Sequence, residues 1–172
     1  MSREVVIVSG VRTAIGTFGG SLKYTPTVDL ASLVVRASLQ RAQVDGQDVG
    51  HVVFGNVIST EPRDLYLSRV AAIHGGCAEG TPAFNVNRLC GSGMQAIVSA
   101  AQSIQLGDAD TAIGGGAENM SRAPYISSSM RFGARMGDTV MTDMVVSTLH
   151  DPFHAIHMGV TAENIASKWG IS

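Results

Sequence analysis

Apolar residues along this chain follow two rhythms. Short runs rich in Val, Ile and Phe at residues 4–9, 51–57 and 83–86, and a run of small residues at 111–117, read as buried strands. Between them, apolar positions recur every three or four residues, the spacing of a helix with one buried face. One such helix runs from Thr27, a candidate N-cap, to about Ala42. It has Asp29 in its first turn and Leu30, Leu33, Val34 and Ala37 on its apolar face, with the stem of Arg41 extending it. A second helix fits residues 65–74 and closes on Gly75-Gly76; a third carries Met94, Ile97, Val98, Ala101 and Ile104 and closes on Gly107. Residues 10–26, with Gly16, Gly19, Gly20 and Pro26, read as a loop, and Asp45-Gly46 as a turn. The glycines at 114–116 imply that something packs close against the fourth strand. The order βαβαβαβ predicts a layered α/β domain with parallel strands and right-handed crossovers.

The texture changes near Asn119. Six of the eight methionines lie at or after Met120, periodicity weakens, and residues 131–138 are loop-like. We therefore expect a first domain over residues 1–119 and the start of a second over 120–172. The methionines there read either as plain core or as an adaptable apolar binding wall.

The candidate chemistry sits where the third strand becomes the third helix, at Asn87-Arg88-Leu89-Cys90-Gly91-Ser92-Gly93-Met94. A thiol at a helix N-terminus lies near unpaired amides and the positive end of the dipole, which favours the thiolate. Gly91 and Gly93 keep side chains away, so a ligand could approach the backbone closely. Cys90 is thus a candidate nucleophile, and its own N–H a candidate oxyanion donor. Cys77, after Gly75-Gly76, reads as structural. Glu118 and Asn119 read as residues that orient neighbouring loops.

These residues resemble the nucleophile motif of the thiolases, which make and cleave 3-ketoacyl-CoA. Three other stretches agree and fall in family order: residues 12–20 (RTAIGTFGG), residues 114–124 (GGGAENMSRAP) and residues 157–164 (HMGVTAEN). The resemblance implies a thiolase-like N-terminal half followed by the beginning of a CoA-binding loop domain. It implies acyl transfer, either thiolysis of 3-ketoacyl-CoA or Claisen condensation of acetyl-CoA with an acyl-CoA. Cys90 would be the nucleophile, His157 and Met158 would line the pantetheine tunnel, and Leu149 would touch CoA. No cofactor is implied, since coenzyme A thioesters are substrates, and the intact protein would be a homo-oligomer, dimer or tetramer. The family's histidine base and second cysteine come from C-terminal motifs that are absent here: there is no Gly-His-Pro, and no Cys follows Cys90. Thiolases are also at least twice this long, so the isolated chain is expected to be inactive.

Bulk composition is consistent with an ordered protein, with 45% hydrophobic and 15% charged residues in 172. A net charge of −2, two lysines against ten arginines, and no basic stripe argue against a nucleic-acid partner. No apolar run reaches membrane-spanning length and no secretory signal opens the chain, so we expect no membrane association, free thiols and a cytoplasmic location.

Two other patterns compete. Gly91-Ser92-Gly93-Met94-Gln95-Ala96 also fits the dinucleotide fingerprint G-x-G-x-x-A, with Glu118 as its acidic partner. A non-catalytic fragment or subunit that needs a partner chain is the other reading. His150, His154 and His157 have the i, i+4, i+7 spacing of helical metal ligands, but Pro152 breaks the turn that would align them, so no metal is expected.

Overall fold

The computed structural model describes residues 3–172. The chain forms two units, one ending at Arg122 and the other beginning at Ala123.

In the first unit, β1 (His51–Gly55) lies between β2 (Ala83–Val86) and β3 (Ala112–Gly116), and both pairings are parallel. In register, Val53 stands opposite Phe84 on one side and Gly114 on the other. Side chains alternate across the sheet. Val52 and Phe54 enter one core with α1 (Thr27–Ala42) and α2 (Leu67–Gly75), while Val53 packs with Ala96 and Ala100 of α3 (Ser92–Leu106). The result is a layer of two helices, a sheet and a third helix. Ser68 of α2 stitches the first layer to the strands: its hydroxyl accepts from Phe54 N at 2.9 Å and donates to Phe84 O at 2.7 Å.

Three of the four expected strands form. The first does not: residues 4–9 run free of any ladder, and Val6, Ile7 and Val8 are 67%, 82% and 67% exposed. A strand requires an edge about 4.8 Å away. The nearest candidate is β3, which faces this segment across a cleft that both line.

Two of the three helices bury faces shifted from the expected ones, although Val34, expected on the apolar face of α1, does pack against the core. α1 buries Val28, Ala31, Val35 and Leu39 against α2, and Leu33 is 53% exposed. Thr27 is its first residue rather than its cap, and Pro26 precedes it. In α3 the buried positions are the small ones, Ser92, Ala96 and Ala100, while Met94 is 69% exposed and Ile97 and Val98 are also exposed. Close approach to the sheet explains this. A Cβ on Gly114 would stand 2.6 Å from Ile97 Cα, so helix and strand meet backbone to backbone and leave no room for large side chains.

In the second unit, β4 (Tyr125–Ile126) and β5 (Thr142–Asp143) form a short antiparallel ladder. Asp143 caps α4 (Met144–Thr148) by accepting from Val145 N at 2.8 Å. The helix α5 (Met158–Trp169) follows; its apolar Val160, Ile165 and Trp169 are exposed, and no regular pattern announced it.

Candidate active site

Strand β2 delivers the chain into a tight turn that ends at α3. The Leu89 amide donates to Asn87 Oδ1 at 3.0 Å, and Gly91 N and Ser92 N donate back to Arg88 O and Leu89 O. Leu89 is held at φ +48°, a left-handed conformation that costs a branched side chain about 1–2 kcal/mol. Ser92 holds it there. Its buried hydroxyl accepts from Arg88 N at 2.8 Å and donates to Leu89 O at 2.6 Å, so one side chain closes the turn around the strained residue. Cys90, next in the chain, is carried outward and is exposed. It precedes the helix cap, Gly91, by one residue, so the first-turn amides of α3 lie just beyond it.

The base of this turn is clamped to the sheet. A Cβ on Gly55, at the end of β1, would stand 2.5 Å from the Ser92 carbonyl carbon, and a Cβ on Gly116, at the end of β3, would stand 3.4 Å from Gly93 Cα. Glu118 secures the neighbouring loop. Its carboxylate accepts from Val57 N at 2.8 Å, Ile58 N at 3.0 Å and Asn56 Nδ2 at 3.3 Å. Burial pushes this carboxyl above the ordinary range, opposed by the Val57 and Ile58 amides. Asn119 donates to Leu22 O and Thr25 O and ties in the loop before α1. Cys77 is different: it is buried, and burial pushes its thiol up, which disfavours the reactive thiolate.

Leu149, His157 and Met158 come together within the second unit. Met158 N donates to Leu149 O at 2.8 Å, and the His157 ring meets the His150 ring edge-on at 5.4 Å between centroids. His157 is the N-cap of α5, its Nδ1 accepting from Gly159 N at 3.0 Å. His150 Nδ1 meets Val146 O, and His154 pairs with Asp151 in the intervening turn. Among the described residues, no three His, Cys, Asp or Glu side chains are grouped to hold a metal. No described helix is long and apolar enough to cross a membrane.

The dinucleotide reading fails in space. Its glycines follow β2, an edge strand, whereas a dinucleotide lies at the interior point where strand order reverses. Sequence reasoning also passed over Ser92 and Gly55. The signal for Ser92 was its place at a helix start, where a hydroxyl commonly bonds back to the preceding backbone. Gly55 carried no local signal, because only the tertiary contact explains it.

An exposed cysteine on a strand-to-helix turn of a parallel α/β sheet points to a class of proteins, and comparison supplies the family. Residues 5–172 match the family described as thiolase, N-terminal domain, so the chain belongs to the thiolases. It is 69% identical over its whole length to the beta-ketothiolase BktB of Cupriavidus necator, covering 44% of that protein. It is 43% identical over 99% of its length to the acetyl-CoA acetyltransferase of Escherichia coli, covering 43% of it. The acetyl-CoA acetyltransferase of Bacillus anthracis superposes with a TM-score of 0.93 at 38% identity, over 99% of this chain and 43% of that one. Human mitochondrial 3-ketoacyl-CoA thiolase, solved in complex with CoA, superposes at 0.91 with 38% identity, over 96% of this chain and 42% of that one. The chain thus spans less than half the length of these relatives.

Proposed function

We propose that this chain carries the acyl-accepting nucleophile of a thiolase. The observation that bears most weight is the exposed Cys90 on a strained turn that Ser92 closes and Gly55 seats on the sheet. In this reading the Cys90 thiolate attacks the carbonyl of an acyl-CoA, the C–S bond to CoA breaks, and CoA leaves as the thiol after taking up a proton. The acyl group, now a thioester of Cys90, passes either to the thiol of CoA or to the enolate carbon of acetyl-CoA. Amides at the start of α3 are positioned near the nucleophile to stabilise the oxyanion.

Leu149, His157 and Met158 form part of the surface that receives the CoA arm. Their clustering at the α4–α5 turn supports this, as does the CoA held by the human relative. The complete protein works as a dimer or tetramer in the cytoplasm, in fatty acid metabolism. The test is incubation of the chain with acetyl-CoA followed by peptide mass analysis. The expected result is slow acetylation confined to Cys90, without turnover of acetoacetyl-CoA. Acetylation elsewhere, or none on a folded chain whose Cys90 still alkylates, would refute the assignment.

A further inference from the structure

The three parallel strands end on the same side of the sheet, so the segments that leave them meet beside Cys90. Glu118, just past the end of β3, ties two of these segments together. Its carboxylate uses both oxygens as acceptors. Oε2 takes the Val57 amide at 2.8 Å, while Oε1 takes the Ile58 amide at 3.0 Å and Asn56 Nδ2 at 3.3 Å. Both ends of the group therefore face N–H donors, and a carboxylate offers acceptors at both ends where an amide offers one. Asn56 Nδ2 also donates to Ala117 O at 3.0 Å, so the link between the segments after β1 and β3 is made twice.

A second link runs from residues 56–58 to the turn that carries Cys90. Asn56 N donates to Val86 O at 3.2 Å, and Asn87 Nδ2 reaches Val57 O at 3.5 Å. The other end of the same Asn87 amide accepts from Leu89 N at 3.0 Å. One partner is a carbonyl and the other an N–H, which fixes the way the amide points. Val57 thus carries both links: its N–H goes to Glu118 and its carbonyl takes Asn87. Asn87 in turn holds Leu89, the residue at φ +48° that precedes Cys90. The contact between Asn87 and Val57 is the longest in this chain of bonds, so it is the first to fail when Val57 shifts. Among the described residues, Glu118 makes no hydrogen bond to residues 87–92 directly.

We propose that Glu118 is a positioning residue for Cys90, acting through Val57 and Asn87 to hold Leu89 in its left-handed conformation. Its part in the reaction rests on the acyl-transfer reading of Cys90; its hold on the turn does not. Loss of one acceptor at Glu118 frees the Val57 or the Ile58 amide. Asn87 then loses its anchor, Leu89 relaxes, and the thiol moves away from the first-turn amides of α3 that favour the thiolate. Removal of a negative charge by itself has the opposite sign, because it would favour the thiolate. The direction of the change therefore separates the two effects.

The test is a double-mutant cycle read by the rate of Cys90 alkylation with iodoacetamide at neutral pH. Glu118→Gln keeps the size of the side chain and turns one acceptor into a donor. Asn87→Ser keeps an oxygen that can accept from Leu89 N but is too short to reach Val57 O. Each change alone should slow alkylation by about threefold or more, and Glu118→Gln should add less than about 1.5-fold once Asn87→Ser is present. Exchange of the Leu89 amide should quicken by about tenfold in Glu118→Gln, with the amides of α2 unchanged. Faster or unchanged alkylation in Glu118→Gln, or the same slowing with and without Asn87→Ser, would overturn the proposal. If Glu118→Gln does not fold, Asn87→Ser at its exposed position decides: unchanged alkylation together with unchanged Leu89 exchange would overturn it. Acetylation by acetyl-CoA is read on the parent chain in parallel. Its absence there would refute the acyl-transfer reading, while the alkylation cycle would still decide whether Glu118 positions Cys90.

Discussion

Gly55 and Ser92 meet backbone to backbone: a Cβ on Gly55 would lie 2.5 Å from the Ser92 carbonyl carbon and 2.7 Å from Ser92 Cβ. The end of the central strand therefore sets where α3 begins, next to Cys90. Gly55→Ala should push the start of α3 off the sheet and destabilise the chain by about 1–3 kcal/mol, the usual cost of overpacking. Urea denaturation measures it, and a change under about 0.5 kcal/mol would show that the contact relaxes freely.

Ser92→Ala removes both hydrogen bonds that close the turn at Leu89. The expected loss is about 1–2 kcal/mol of stability, with the Arg88 amide left unpaired. Cys90 alkylation at neutral pH should change in rate as the turn loosens. An unchanged rate in a destabilised variant would confine Ser92 to a structural role.

The two thiols should differ in reactivity. Cys90 is exposed, whereas Cys77 is buried with its thiol pushed up by burial. Limiting iodoacetamide at neutral pH, followed by peptide mapping, should label Cys90 first by about tenfold or more. Preferential labelling of Cys77 in the folded chain would remove the nucleophile assignment.

Glu118 should leave a signature in the pH dependence of stability. Burial raises its carboxyl above the ordinary value of 4.5 in the folded chain. The folded state then holds this proton more tightly than the unfolded one, so the stability it contributes is greatest below 4.5 and declines as pH rises through the raised folded value. Glu118→Gln removes the titration. Relative to the parent, the variant should gain stability as pH rises through that window and level off above it. Paired denaturation curves between about pH 4 and 8 test this; a gap that does not vary with pH would place the carboxyl in the ordinary range.

Local pattern was enough for much of this protein. Periodicity and glycine punctuation located α1, β2 and α3 closely, because each is bounded by residues whose backbone preferences act within a few positions: Pro26, the glycines at 91 and 93, and Gly107. The Cys90 motif was legible for the same reason, since thiol, glycines and strand-to-helix turn are contiguous. Three other blocks in order brought the thiolase family within reach. Which face of each helix is buried was not legible. Leu33, Met94 and Ile97 have the composition of core residues, yet α3 seats its small side chains on Gly114 and leaves the large ones outward. The run at residues 4–9 has the composition of a buried strand, but composition supplies no neighbour, and a ladder forms only where a second edge lies within hydrogen-bonding distance. The roles of Gly55 and Ser92 arise from a contact between residues 37 positions apart. Sequence by itself determined which segments extend, coil and carry the thiol; only the tertiary packing decided what each one touches, because close approach, burial and edge pairing depend on partners distant in the chain.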